Sequence, residues 1–383
     1  RMFFVKHFLR RCADYIRECD KLFMILCVFT ASYGCVAVLS ATYSTGSLRQ
    51  FFMQFFCMIL GIIAVVVISN FNYKDIVKLW PIIAIVGVIP VILTFFIGYA
   101  PGQTDDKAWL QLPGGITFQP AELLKIVFVI TFSCHVNKLG DKIHKLRHIL
   151  LLCIHGAIPV LLIHFQGDDG TALIFAFMFV GMMFIAGIKI RYFAIAGAAA
   201  AAALPIVFFF VMNEDQRSRI ISLFFPKQED YLGVLWQQWR GRIAFANGGI
   251  WGKGFLNGPY VQSGSVPEGH NDFIIASIGE EFGMLGCIVV LLLISAICIR
   301  MLRIGQLSGD KTGLVICGGV FSMFLAQTLV NVGMCLSLMP VIGVTLPLFS
   351  AGGTSLICLF LGIGLVMSVY MHRSSGPFHL GDE

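Results

Sequence analysis

Read from one end to the other, the chain alternates long apolar runs with short polar punctuation. Ten runs reach the roughly 20 residues that a helix needs to cross a bilayer. They cover about 22–41, 51–69, 79–98, 119–136, 149–165, 172–188, 193–212, 273–299, 312–336 and 351–371. The runs are continuous, without the period-two alternation of barrel strands, so they read as helices. The expected fold class is all-α: a polytopic membrane protein with ten transmembrane helices and a large extracytoplasmic loop, 213–272, between helices 7 and 8. Residues 1–21 read as a basic N-terminal segment, too polar for a secretory signal, and 372–383 as a tail.

Composition excludes the alternatives. Of 383 residues 57% are apolar, 35 are Phe and only 13% are charged, against about 25% charged in soluble domains. Neither a soluble enzyme nor a disordered chain fits. Alternate connections place 18 of the 27 Lys and Arg on one side, Lys74, Lys142 and Arg300 among them. The positive-inside rule makes that side, with both termini, cytoplasmic. All twelve Cys fall in the spans or the N-terminal segment and none forms CxxC, so no disulfide or cysteine–metal framework is expected in the long loop. His144 and His148 lie on a basic loop and read as interfacial. Asn247 and Gly254 depart from the GxxxxGK[ST] pattern, which removes a Walker site.

Chemistry-capable residues gather at the outer ends of the spans. Trp109 to Pro113 precede Gln119-Pro120-Ala121-Glu122, where Pro120 suits a first helical turn. Gln119, Glu122 and Lys125 recur every three residues on one face. Ionisable groups entering an apolar span need a partner or water, so Glu122 and Lys125 read as a helix-locking pair, a cavity wall, or both. In Gln166-Gly167-Asp168-Asp169-Gly170-Thr171, one carboxylate is accounted for as a helix cap. From Asp215 to Asp272, six basic residues and Trp236, Trp239 and Trp251 describe a membrane-surface helix that meets anionic head groups. Gly248, Gly249, Gly252, Gly254 and Gly258 follow and call for tight turns and close backbone approach. The segment closes on Pro267-Glu268-Gly269-His270-Asn271-Asp272-Phe273, then Gly279-Glu280-Glu281. Asp272 reads either as a helix cap or, partly buried, as a general base with a raised pKa. Gln327 and Asn331, one turn apart, read as interhelical amides, and 339–355 as an irregular loop buried against protein.

In this order and spacing the motifs resemble the SEDS family, the RodA/FtsW/SpoVE-type peptidoglycan glycosyltransferases, over nearly the whole chain. Departures are Ala121 for the usual Ser, Ala108 for a basic residue, Gly167 for Pro, Asp169 for Leu and Asn271 for a common Thr. The resemblance implies ten transmembrane helices in the bacterial cytoplasmic membrane and polymerisation of lipid II, a polyprenyl-pyrophosphate-linked disaccharide peptide, on its outer face. It implies that Asp272 is the essential loop acid, expected to take the proton from the acceptor sugar's 4-hydroxyl as that oxygen displaces pyrophosphate-lipid with inversion. Lys125, Arg217, Arg219 and Arg242 are expected to steady the leaving group, with Glu122 positioning Lys125. Trp109, Gln119, Asp168, His270, Glu280 and Ser350 are expected to contribute to substrate binding. No cofactor is required, although a divalent cation could supply part of the positive charge. The implied partners are lipid II, the membrane and a class B penicillin-binding protein, with no nucleic acid. Leu39-Ser40-Ala41-Thr42 and the short N-terminal segment look more RodA-like than FtsW-like. Competing readings are a flippase for the lipid-linked precursor, a polymerase or ligase of another surface polysaccharide, and a non-catalytic scaffold.

Overall fold

A helix that is apolar on every face needs lipid or protein on every side, and the computed structural model distributes the apolar runs between those two surroundings. Residues 15–43, 46, 48–100, 107–112 and 116–373 are described; most of the expected N-terminal segment and nearly all of the tail lie outside them. In chain order the helices are α1 (Lys21–Tyr43), α2 (Arg49–Ser69), α3 (Tyr73–Lys78), α4 (Trp80–Ile97), α5 (Pro120–Leu139), α6 (Leu146–His164) and α7 (Asp169–Ile185). They continue as α8 (Ile190–Ile206), α9 (Glu214–Phe224), α10 (Trp236–Gly248), α11 (Pro259–Gln262), α12 (Ile274–Gln306), α13 (Lys311–Cys335) and α14 (Gly353–Met371).

Among the described residues nine helices are long and apolar enough to cross a membrane. Nine expected spans coincide with them. The other, 172–188, corresponds to α7, which is apolar but only 17 residues long. α13 forms the centre, buried over most of its length and packed on α5, α7, α12 and α14. α8 has no buried residue, so its apolar faces are left to the surrounding lipid.

Two features depart from the sequence expectation. The connection after α4 contains an antiparallel hairpin, β1 (Leu110–Leu112) with β2 (Ile116–Phe118), preceded by a bridge between Tyr99 and Trp109. The span expected at 273–299 is broken at Gly283, whose φ of 69° and ψ of −171° are not helical. The glycine-rich stretch after α10 fills the break. Lys253 and Gly254 donate backbone N–H groups to the carbonyls of Glu280 and Glu281, each at 2.9 Å, and Met284 donates to Gly249 at 2.9 Å. Backbone freed from helix is thus paired with protein, the condition for irregular chain at membrane depth. The approach leaves no room for side chains: a Cβ on Gly252 would sit 2.2 Å from the Glu281 carbonyl oxygen.

The long segment after α8 is therefore not an open loop. α9, α10 and α11 fold back over one end of the bundle, here called the loop end, and α10 packs along α12. At the opposite end, Asp310 caps α13 and accepts from the Tyr73 hydroxyl and, at 3.0 Å, from Lys74. Asp20 caps the start of α1 and pairs with Arg300 at 2.7 Å.

Candidate active site

At the loop end the chain re-enters the bundle through a turn, 268–273, that delivers Asp272 to the start of α12. Glu268 holds φ at 47°, an uncommon value for a residue with a side chain. Its carbonyl accepts from the N–H groups of Asn271 and Phe273, at 2.9 and 3.1 Å. Its carboxylate accepts from the Asn271 side chain at 2.7 Å. The turn is fixed from outside as well. Ala351 N–H donates to the His270 carbonyl at 2.8 Å, Ser350 Oγ donates to the Asn271 carbonyl at 2.7 Å, and Asn331 Nδ2 donates to the Asp272 carbonyl at 2.8 Å.

The Asp272 carboxylate itself has no hydrogen-bond partner among the described residues. It is half-buried, and its Oδ2 faces Gly343, where an added Cβ would lie 3.7 Å away. Burial, reinforced by the Glu268 and Asp168 carboxylates, pushes its pKa up to about 7. Asp272 does not cap α12; Phe273 occupies that position without a side-chain bond. An unpaired, partly accessible acid that titrates near neutrality is suited to accept a proton from a bound hydroxyl.

Around it, Asp168 caps α7 through Thr171 N–H at 2.8 Å and accepts from Gln119 at 2.7 Å. Its neighbour Asp169 binds His164 at 2.6 Å and also accepts from Gln216, which ties α9 across the top of α7. Arg219 donates to the Val341 carbonyl at 2.9 Å, two residues from Gly343. The Nε of Arg217 is buried and has no hydrogen-bond partner among the described residues. A cavity of about 320 Å³ opens here, lined by Asp215, Ser218, Arg219, Trp236, Gln237 and Val341. On the other face of the turn lies a smaller cavity of about 200 Å³, lined by Ala41, Val261, Glu268 and His270.

Residues 20–375 match the family FTSW_RODA_SPOVE, described as cell cycle protein. A peptidoglycan glycosyltransferase, MrdB of Escherichia coli K12, is 36% identical over 268 residues, covering 70% of this chain and 71% of that protein. A probable peptidoglycan glycosyltransferase, FtsW of Geobacter sulfurreducens, is 28% identical over 378 residues, covering 94% of this chain and 98% of its own. The chain belongs to the FTSW_RODA_SPOVE family. Its fold is also that of a solved chain from a study of polymerization and crosslinking by a peptidoglycan synthase complex. There the TM-score is 0.80 at 24% identity, over 94% of this chain and 99% of that one.

Within this family member the sequence-derived residues separate into three groups. Asp168, Gln119, Arg217 and Arg219 lie on elements that meet around the Asp272 turn. His270 and Ser350 hold the turn in place: His270 Nε2 is 2.8 Å from Gln50 Nε2. An amide nitrogen only donates, so the His270 proton resides on Nδ1, and burial keeps the ring's pKa below its ordinary value. The remaining residues line neither of the two cavities described above. Glu122 and Lys125 form a buried pair at 2.7 Å, and Ser355 on α14 donates to Glu122 at 2.9 Å. The geometry shows the helix-locking contact, one of the two compatible roles expected of the pair. Glu280 is fully buried, accepting from Asn247, Tyr260 N–H and Val261 N–H at 2.8, 3.0 and 2.7 Å. Its carboxylate ties the end of α10 and α11 to α12. Trp109 belongs to the hairpin, and Arg242 is exposed with no contact to the cluster among the described residues. The sequence reading overlooked Gln50 and Gln54, of which Gln54 donates to the Ser350 carbonyl at 3.0 Å. Two amides at i, i+4 in an otherwise apolar run were the available signal.

Proposed function

We propose that this protein is a peptidoglycan glycosyltransferase that extends glycan strands from lipid II, with Asp272 as general base. The enzyme class rests on family membership and on the relatives that carry that activity in their names. The observation that carries the mechanism is the unpaired Asp272 carboxylate, held near neutrality on a turn whose backbone is fixed from several sides.

The excess of Lys and Arg on the connections away from the loop end supports reading that end as the outer face of the cytoplasmic membrane, with both termini cytoplasmic. The acceptor's 4-hydroxyl is assigned to Asp272 Oδ2, on the side of the carboxylate that faces Gly343. As its oxygen bonds to the donor's anomeric carbon, the proton passes to Asp272 Oδ2. The bond from that carbon to the pyrophosphate oxygen breaks with its electron pair leaving on the phosphate, and the carbon inverts. Pyrophosphate needs no proton if cations meet its charge; Arg217, with its unpaired Nε, and Arg219 on the same helix are the groups assigned to it. The similar chain from the synthase complex motivates a cross-linking partner of the class B penicillin-binding type, seated on the bundle's lipid-facing side.

Purified protein in vesicles, given fluorescent lipid II, tests this reading. Wild-type protein is expected to build glycan strands and Asp272→Ala to bind lipid II without building them. Transfer of lipid II between leaflets without chain growth supports a flippase instead, and strands made by Asp272→Ala remove Asp272 from the mechanism.

A further inference from the structure

The Asp272 carbonyl is held by a residue 59 positions away on α13. Asn331 is fully buried. Its Nδ2 donates to two carbonyls, Asp272 at 2.8 Å and Val344 at 2.7 Å. Only the nitrogen of an amide can donate to a carbonyl, so this orientation is fixed by chemistry. Its Oδ1 is consequently left buried with no partner among the described residues, an arrangement that disfavours the folded state. A cheaper packing would put an apolar side chain here and let the two carbonyls find other donors. One turn further along α13, the Cys335 thiol points at the same Asp272 carbonyl from 3.4 Å.

The two carbonyls joined by Asn331 belong to the two segments that face each other at the Asp272 carboxylate, taken as the walls around the acceptor hydroxyl. Asp272 is one wall. Val344 follows Gly343, which faces the Asp272 carboxylate. We infer that Asn331 is a positioning residue for the transfer reaction: its amide sets the spacing between the Asp272 turn and the 343–344 segment, and so the place where the acceptor hydroxyl meets the carboxylate. A side chain with a single donor could hold either wall but not both.

This inference rests on Asp272 being the base, and the experiment separates the two claims. Steady-state polymerisation of fluorescent lipid II is measured across pH for Asn331→Ala, Cys335→Ala and Asp272→Ala in detergent, with folded fraction determined by thermal melting. Displacing a reacting group by about 1 Å costs up to roughly a hundredfold in rate. Asn331→Ala is therefore expected to lower kcat per folded molecule between about tenfold and a hundredfold, with KM for lipid II within about twofold of wild type. Its acid limb should also move to lower pH as Asp272 loosens toward water. Cys335→Ala, which removes the longer bond to the same carbonyl, is expected to show the same pattern more weakly and serves if Asn331→Ala does not fold. A lower melting temperature with unchanged kcat and an unmoved limb in the folded variants would make Asn331 a packing residue only and overturn the inference. Activity in Asp272→Ala would instead overturn the reading beneath it.

Discussion

Asp272 combines two properties that oppose each other in water. It has no hydrogen-bond donor within the described residues, and it is partly enclosed, so its charged form is poorly solvated. The cost appears in stability. An ordinary Asp titrates near 3.8, whereas this one is pushed up to about 7. The native state therefore holds a proton that the unfolded chain has released, and the stabilisation present below pH about 4 is lost as pH rises through about 7. Asp272→Asn cannot ionise. Its melting temperature relative to wild type is expected to climb between pH 4 and 7 and to level off above, as followed by differential scanning fluorimetry in detergent; a constant difference would place the titration elsewhere. Glu268→Gln, which removes a carboxylate that helps raise the Asp272 pKa, should end that climb at lower pH. The position of Asp272 in its motif was legible in the sequence. The contacts that hold it were not, because Asn331 on α13, Ser350 in the loop before α14 and, through Ser350, Gln54 on α2 come together only once those elements assemble.

Elements at the loop end are positioned by backbone contact and by buried polar pairs. The glycines after α10 announced close approach, but their target, a break at Gly283 in an apolar run, could not be read locally because the partner carbonyls are some thirty residues downstream. Gly252→Ala would force a Cβ to 2.2 Å from the Glu281 carbonyl oxygen and strain a φ of 82°. It is expected to cost about 1–3 kcal/mol or more in chemical denaturation. Gly197→Ala in α8, where nothing lies within 4 Å, should instead gain about 0.5–1 kcal/mol. Equal effects would mean that the glycine-rich stretch does not hold the break. Glu122 and Lys125 give a second comparison. Removing one charge of a buried pair costs about 3–5 kcal/mol, so Glu122→Gln and Lys125→Met should each destabilise strongly. The double variant should recover much of the loss, because it leaves no lone charge between α5 and α14. Additive losses would show that the two side chains act separately.

The molecule as a whole divides its two ends between different tasks. One end is tied by Asp310 with Tyr73 and Lys74, and by Asp20 with Arg300; the other gathers α9, α10 and the irregular 340s over the Asp272 turn. The span pattern and the fold class were legible because bilayer thickness imposes helix length on sequence. The folding of 213–272 into helices was legible only as a basic, Trp-bearing surface segment. The orientation can be tested on intact cells with a membrane-impermeant maleimide: Glu229→Cys, exposed at the loop end, should label from outside, and Lys142→Cys only after permeabilisation. The reverse pattern would put the Asp272 turn on the wrong side of the membrane for strand synthesis. The most direct test of the central claim is the pH dependence of kcat/KM for lipid II polymerisation. A base with a pKa of about 7 predicts a rate that rises about tenfold per pH unit below neutrality and levels off above it, with Asp272→Ala lacking the rise. A limb near pH 4, or one that persists in Asp272→Ala, would contradict it.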